Sequence, residues 1–184
     1  MVSLAALWLP ILLSAVVVFV ASSIIHMALR WHAADFKKFP SEDAVLDTLR
    51  PFNLPAGDYV APLPESMAHM NSPEFKANVE RGPRVMLTVL GRENSMVRNL
   101  AVWFVYLLVV GVFAAYVAGL ALGAGADYLA VFRLTGTVAF AGYALALWQN
   151  WIWYSRRLGY TVRTTIDGLV YALLTGGVFG WLWP

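Results

Sequence analysis

The chain has 184 residues, of which 60% are hydrophobic and only 13% are charged. A water-soluble domain of this length cannot bury so much apolar surface, so the composition indicates an integral membrane protein. The absence of cysteine excludes disulfides, thiolate nucleophiles and cysteine-ligated metal clusters. The net charge of +2 comes from basic residues whose positions indicate membrane topology, so no nucleic-acid partner is predicted.

Four apolar stretches are long enough to cross a lipid bilayer. They cover residues 4–29, 99–122, 129–153 and 165–183. The sequence therefore predicts an all-α integral membrane protein with four transmembrane helices. Helix 1 is expected at 1–30, a small mixed cytoplasmic module at 31–97, and helices 2 to 4 at 98–184.

The basic residues predict an orientation. All thirteen Lys and Arg residues except Arg133 lie in segment 30–98 or in the link 154–164. By the positive-inside rule, these two segments are cytoplasmic and both termini lie on the outer, periplasmic face. Arg133 is expected either to snorkel outward and pair with Asp127 or the terminal carboxylate, or to line a polar cavity open to the outside.

Local signals predict a folded module between the first two spans. Ser41 is expected to cap a short helix, and a second helix is expected between Ser72 and Gly82. The run 85–90 is typical of a strand that could pair with 59–61.

Two ridges of small residues follow the same Gly-xxx-Ala-xxx-Gly-xxx-Gly pattern. They consist of Gly111, Ala115, Gly119 and Gly123 in the second stretch, and of Gly168, Ala172, Gly176 and Gly180 in the fourth. Small residues at every fourth position let another helix approach closely. The ridges can serve packing within one chain or contact with a second subunit.

Polar residues at the ends of spans are candidates for function. On the predicted topology the following residues lie at similar depth near the inner face: His26, Gln149, Asn150, Asp167 and Arg163. Arg156 and Arg157 surround this polar cluster. It could relay protons, hold a polar headgroup or bind an ion. Alternatively, these groups only join helix ends, and Asp167 stabilises the N-terminus of the fourth helix.

No metal, cofactor or catalytic residue is predicted. His32 lies six residues beyond His26, roughly 240° around a continuous helix, so the two cannot share one ion unless the helix ends between them. Met67, His69 and Met70 offer soft ligands, but three residues in a loop are a chance pattern. Hydrolase and nucleotide-binding motifs are absent.

The C-terminal run Thr165–Pro184 and the segment Ser23–His32 resemble those of a group of small, uncharacterised bacterial inner-membrane proteins. The resemblance covers most of the chain. It implies four helices in a bacterial cytoplasmic membrane, and it brings no activity and no catalytic residues.

The leading hypothesis is therefore non-enzymatic. The chain is expected to be an accessory or scaffold protein that lies in the bilayer and associates with itself or with other membrane subunits through the small-residue ridges. One alternative is a small transporter or channel that uses the polar cluster. Another is a membrane redox or metal-binding component centred on His26.

Overall fold

A computed structural model describes all residues from Met1 to Pro184. In chain order the helices are α1 (Trp8–Ser23), α2 (Glu42–Leu49), α3 (Met67–Met70), α4 (Pro73–Arg81), α5 (Met96–Ala121), α6 (Tyr128–Tyr143), α7 (Trp148–Ile152) and α8 (Leu158–Trp181). The strands are β1 (Gly57–Ala61) and β2 (Val85–Val89). The chain divides into two compact units, of which one is Met1–Lys37 with Met96–Pro184 and the other is Lys38–Ser95.

Three helical stretches are long and apolar enough to cross a membrane. They are Leu4–Ala28, Met96–Ala121 and Tyr128–Ile152. The prediction of a helical membrane protein is confirmed to this extent. Helix α8 has 24 residues, but Arg163, Asp167 and several threonines in its first half lower its hydropathy, and it is not among these three. The fourth span stays a prediction.

The first unit is a helical bundle in which α1, α5, α6 and α8 share one core. Each helix contributes two buried residues to it, namely Ala15, Val18, Leu107, Val110, Ala139, Tyr143, Tyr171 and Ala172. Five of these eight residues are alanine or valine, so the backbones approach closely, as in helix pairs within membranes.

Both small-residue ridges face neighbours within this bundle. A Cβ added at Gly111 would lie 3.5 Å from the carbonyl oxygen of Ile11, and one at Gly119 would lie 2.5 Å from that of Val2. In α8, a Cβ at Gly176 would lie 2.8 Å from the carbonyl oxygen of Phe132. Gly168 lies against Tyr143 and Ala144 at the C-terminal end of α6, and Gly180 lies against Tyr128 at its N-terminal end. Ala115 and Ala172 are buried, and of the two ridges only Gly123 adjoins open space.

The second unit contains the predicted elements. Strands β1 and β2 pair antiparallel, with Tyr59 opposite Leu87. Ser72 caps α4 by accepting a hydrogen bond from the backbone N–H of Phe75. The predicted Ser41 cap is corrected in one respect: Ser41 occupies the N-cap position of α2, but its side chain makes no cap hydrogen bond.

The unit boundaries fall at 37/38 and 95/96, whereas 30/31 and 97/98 were expected. The first boundary moves because residues 31–37 belong to the helical bundle. His32 and Asp35 tie this segment to α8 through hydrogen bonds to Asp167 and Arg163.

Candidate metal centre

The end of the first span places two histidines side by side. Helix α1 is followed by a π turn at Ile24–Ala28, an extended residue, Leu29, and a 3₁₀ turn at Arg30–His32. The rings of His26 and His32 consequently stack, with centroids 4.4 Å apart and planes 21° from parallel. The expected separation of roughly 240° applied to a continuous helix, and the helix ends between the two residues.

Local hydrogen bonds accompany this break. The hydroxyls of Ser22 and Ser23 both donate to the carbonyl oxygen of Phe19, at 2.9 and 2.8 Å. Such bonds compete with the helical N–H donors and bend a helix. The widened turn is closed by the N–H of Leu29, which donates to the carbonyl of Ile24 at 3.0 Å. Single π turns of this kind are frequent at functional sites.

Helix α8 supplies a carboxylate to the same place. The side chain of Asp167 is 6% exposed, and its Oδ2 lies 2.7 Å from Nε2 of His32. The phenol of Tyr171, one turn further along α8, lies 3.4 Å from Nε2 of His26. Helix α8 therefore contacts both histidines.

Asp35 holds His32 from the other side. Its Oδ2 lies 2.5 Å from Nδ1 of His32, and its Oδ1 accepts Nε of Arg163 at 2.9 Å as well as the adjacent Nη2. Burial alone would raise the pKa of the Asp35 carboxyl, but the hydrogen bonds from His32 and Arg163 hold that pKa below its ordinary value. Asp35 is thus an ionised group that fixes the orientation of the imidazole.

A neutral imidazole carries only one N–H, so His32 cannot donate to both carboxylates. Either a second proton or a cation between Nε2 and Asp167 is needed to complete the arrangement. With a metal ion on Nε2, the Nδ1–H donates to Asp35. This is the carboxylate–histidine–metal pattern that orients metal ligands in proteins.

The possible ligand atoms of His26, His32 and Asp167 all lie within 4.8 Å of one another. Two imidazoles and one carboxylate suit Zn²⁺ or Fe²⁺ and leave coordination positions open. Burial decreases from Asp167 through His32 to His26, which is exposed. An ion or an exogenous ligand would therefore reach the site from the side of His26.

The charges favour a cation at this position. Asp35 is neutralised by Arg163, whereas the only hydrogen-bond partner of the Asp167 carboxylate is His32. A buried carboxylate is normally paired with a positive group or bound to a metal. With neutral histidines, a divalent ion would turn a local charge of about −1 into about +1.

The structure brings together only part of the predicted polar cluster. His26, Asp167 and, through Asp35, Arg163 take part, while Gln149 and Asn150 make no side-chain hydrogen bond to them. Sequence reasoning missed Asp35 and Tyr171 and set His32 aside. The detectable signal was the serine pair at 22–23, which warns of a helix break before His32.

Arg133 lies apart from the metal centre. Its side chain is exposed on α6 and forms no ion pair. The expected pairing with Asp127 is not made, because Asp127 caps α6 by accepting the backbone N–H groups of Leu129 and Ala130. The orientation of Arg133 toward the outer face stays a prediction.

The comparisons with known proteins provide no counterpart for this arrangement. No protein-family model, no curated protein and no solved structure matches the chain. The assignment of a function therefore rests on the geometry of the site.

Proposed function

We propose that this protein is a membrane protein that binds a divalent transition-metal ion through His26, His32 and Asp167. The convergence of these three side chains within 4.8 Å carries the proposal. Asp35 orients His32 from the second ring nitrogen, at 2.5 Å. Three protein ligands leave at least one position for water or an exchangeable ligand.

The open position defines what such a site does. A closed site with four protein ligands serves structure, whereas a three-ligand site can exchange its ion or polarise a bound molecule. The exposed side chain of His26 leaves one side of the site open to an entering ion or ligand. Of the hypotheses drawn from the sequence, we therefore favour a metal-binding membrane component with its site at His26.

The proposed setting is a bacterial cytoplasmic membrane crossed by four helices. Helix α8 is the fourth span, since 24 residues extend about 36 Å and the hydrocarbon core measures about 30 Å. The basic link before α8 and the basic segment after α1 support cytoplasmic placement of both, with the termini outside. The metal site then lies near the cytoplasmic face.

The scaffold hypothesis stays a prediction, and the structure gives it less support than the sequence does. It required a small-residue ridge that faces a partner, and Gly111, Gly119, Gly168, Gly176 and Gly180 all adjoin atoms of the same chain. The transporter hypothesis shares His26 and Asp167 with the metal site but lacks a described path across the bundle.

Metal titration tests the proposal. The full chain is purified in detergent, stripped with a chelator and titrated with Co²⁺ and Zn²⁺ by calorimetry, with the visible spectrum of Co²⁺ reporting ligand geometry. We expect one ion per chain. His26→Ala is expected to weaken binding by more than about 100-fold, because loss of an outer hydrogen-bond partner alone costs 10–100-fold.

The matched control is His69→Ala. His69 lies in the second unit, where it accepts a hydrogen bond from the backbone of Glu65, and it has no part in the site. This variant should bind metal like the parent chain. The proposal is overturned if the parent chain binds no ion, or if His26→Ala and His69→Ala behave alike.

A further inference from the structure

A polar pocket of about 190 Å³ shares Asp35 with the candidate metal centre but contains none of the three proposed metal ligands. Its lining residues are Asp35, Phe36, Ser155, Arg156, Arg157 and Tyr160. Two guanidinium groups, two hydroxyls, two aromatic rings and one carboxylate therefore surround a space large enough for a phosphate group. The metal proposal leaves this pocket unexplained.

The link between α7 and α8 builds the pocket through a tight turn. Ser155 has a φ of +52°, in the left-handed region that a non-glycine residue seldom adopts. The backbone N–H of Arg156 donates to the carbonyl of Asn150 at 3.0 Å and closes the turn. Nη1 of Arg157 donates to the carbonyl of Ala34 at 3.3 Å, which fixes the second arginine.

The pocket carries an uncompensated positive charge. Both oxygens of Asp35 are used, one by His32 and one by Arg163, and the Asp35 side chain is only 2% exposed. The guanidinium of Arg156 has no hydrogen-bond or ion-pair partner, and neither hydroxyl of Ser155 and Tyr160 is engaged. The pocket thus offers several free donors and no free acceptor of matching charge.

We infer that this pocket binds the phosphate of an anionic phospholipid headgroup. Arginine forms paired hydrogen bonds with phosphate oxygens, and hydroxyls complete such a site. The adjacent side chains of Trp151 and Trp153 are 44% and 76% exposed, as expected of indoles at the headgroup level. A phosphate here would therefore be presented by a lipid in the surrounding leaflet.

Lipid titration tests the inference. Detergent-purified, chelator-treated protein is titrated with short-chain phosphatidylglycerol, short-chain phosphatidylcholine and inorganic phosphate, and bound molecules are counted by native mass spectrometry. We expect tighter binding of phosphatidylglycerol than of the other two. Replacing both arginines, Arg156→Gln with Arg157→Gln, should weaken it by at least about tenfold, because glutamine cannot replace the charge-assisted hydrogen bonds of a guanidinium to phosphate.

The matched control removes the same charge elsewhere in the same unit. Arg30→Gln with Lys37→Gln changes two basic residues outside the pocket lining. This variant should bind phosphatidylglycerol like the parent chain, and circular dichroism should show that both variants keep their helix content. Equal loss in both variants would mean unspecific attraction and would overturn the inference.

Two further outcomes also decide the matter. Absence of a preference for phosphatidylglycerol over phosphatidylcholine contradicts an anionic headgroup site. Binding of inorganic phosphate as tightly as phosphatidylglycerol would assign the pocket to a soluble phosphate and overturn the lipid assignment. His26→Ala should keep lipid binding, so failure of the metal proposal is distinguishable from failure of this one.

Discussion

At the scale of single residues, the side chain of His32 lies between two carboxylates. Its two ring nitrogens face two carboxylates, at 2.5 Å from Asp35 and 2.7 Å from Asp167. The Asp35 contact persists whether Nε2 carries a proton or a metal ion. In the proposed metal site, the ion would bind His32 on the side of the Asp167 contact.

Asp35 gives the metal-free protein an acid-sensitive element. Its pKa lies below the ordinary value of 3.8, so the folded state binds fewer protons than the unfolded state as the pH approaches that value. The stability it contributes is complete above pH 3.8 and is lost as the pH falls through the lower folded-state pKa. Asp35→Asn should remove about 2 kcal/mol at neutral pH, as expected for hydrogen bonds to charged groups.

Thermal unfolding followed by circular dichroism checks this prediction in chelator-treated protein. The melting temperature of the parent chain should fall as the pH is lowered past 3.8, and that of Asp35→Asn should fall less. A variant as stable as the parent chain at neutral pH would show that the contact with Arg163 contributes nothing.

The residues of the site were predictable only in part. His26, Asp167 and Arg163 stand out in the sequence because charged or ionisable groups are rare inside membrane-spanning helices. His32 and Asp35 could not be added from periodicity, because their positions depend on where the helix ends. The helix ends close to the hydrogen bonds of Ser22 and Ser23 and where the chain packs on α8. A hydropathy profile contains no information on such contacts.

At the scale of elements, the pairing of α6 with α8 depends on glycine. Gly176 faces the carbonyl oxygen of Phe132, a backbone atom that cannot rotate away from an added methyl group. Gly176→Ala should therefore destabilise the protein by about 1–3 kcal/mol through overpacking.

The adjacent residue provides the control. A Cβ at Gly177 would meet only the hydroxyl of Tyr128, at an ordinary 3.8 Å. Gly177→Ala should be neutral or stabilise by up to about 1 kcal/mol, because alanine favours the helix. Thermal unfolding in the same detergent compares the two, and equal melting temperatures would contradict the assigned packing.

The observed helices differ from the predicted ones mainly at helix breaks. The apolar stretch 129–153 predicts one span, and Tyr128–Ile152 is long and apolar enough to be one, although α6 ends at Tyr143 and a 3₁₀ turn leads into the short α7. Length and hydropathy describe the whole stretch, whereas the break depends on neighbouring helices. The strand pair and α4 were predictable, because turn and capping residues mark them locally.

At the scale of the whole molecule, the absence of cysteine permits a direct test of topology. Single substitutions Asn71→Cys and Ala124→Cys lie at exposed positions in the second unit and in the link between α5 and α6. In intact bacteria with a permeabilised outer membrane, an impermeant thiol reagent should label Ala124→Cys. It should label Asn71→Cys only after the inner membrane is opened. The reverse pattern would invert the orientation and place the metal site outside.

The contact between His32 and Asp167 joins the first and last helices of the bundle across 135 positions of sequence. A metal ion at this point, bound only by the folded chain, would link the two segments and stabilise the fold by its binding free energy. If force were applied to the N-terminal helix, the contact with α8 would persist until the ion dissociates. The supply of metal in the cell would then set the stability of the folded protein, and scarcity of metal would shorten its lifetime.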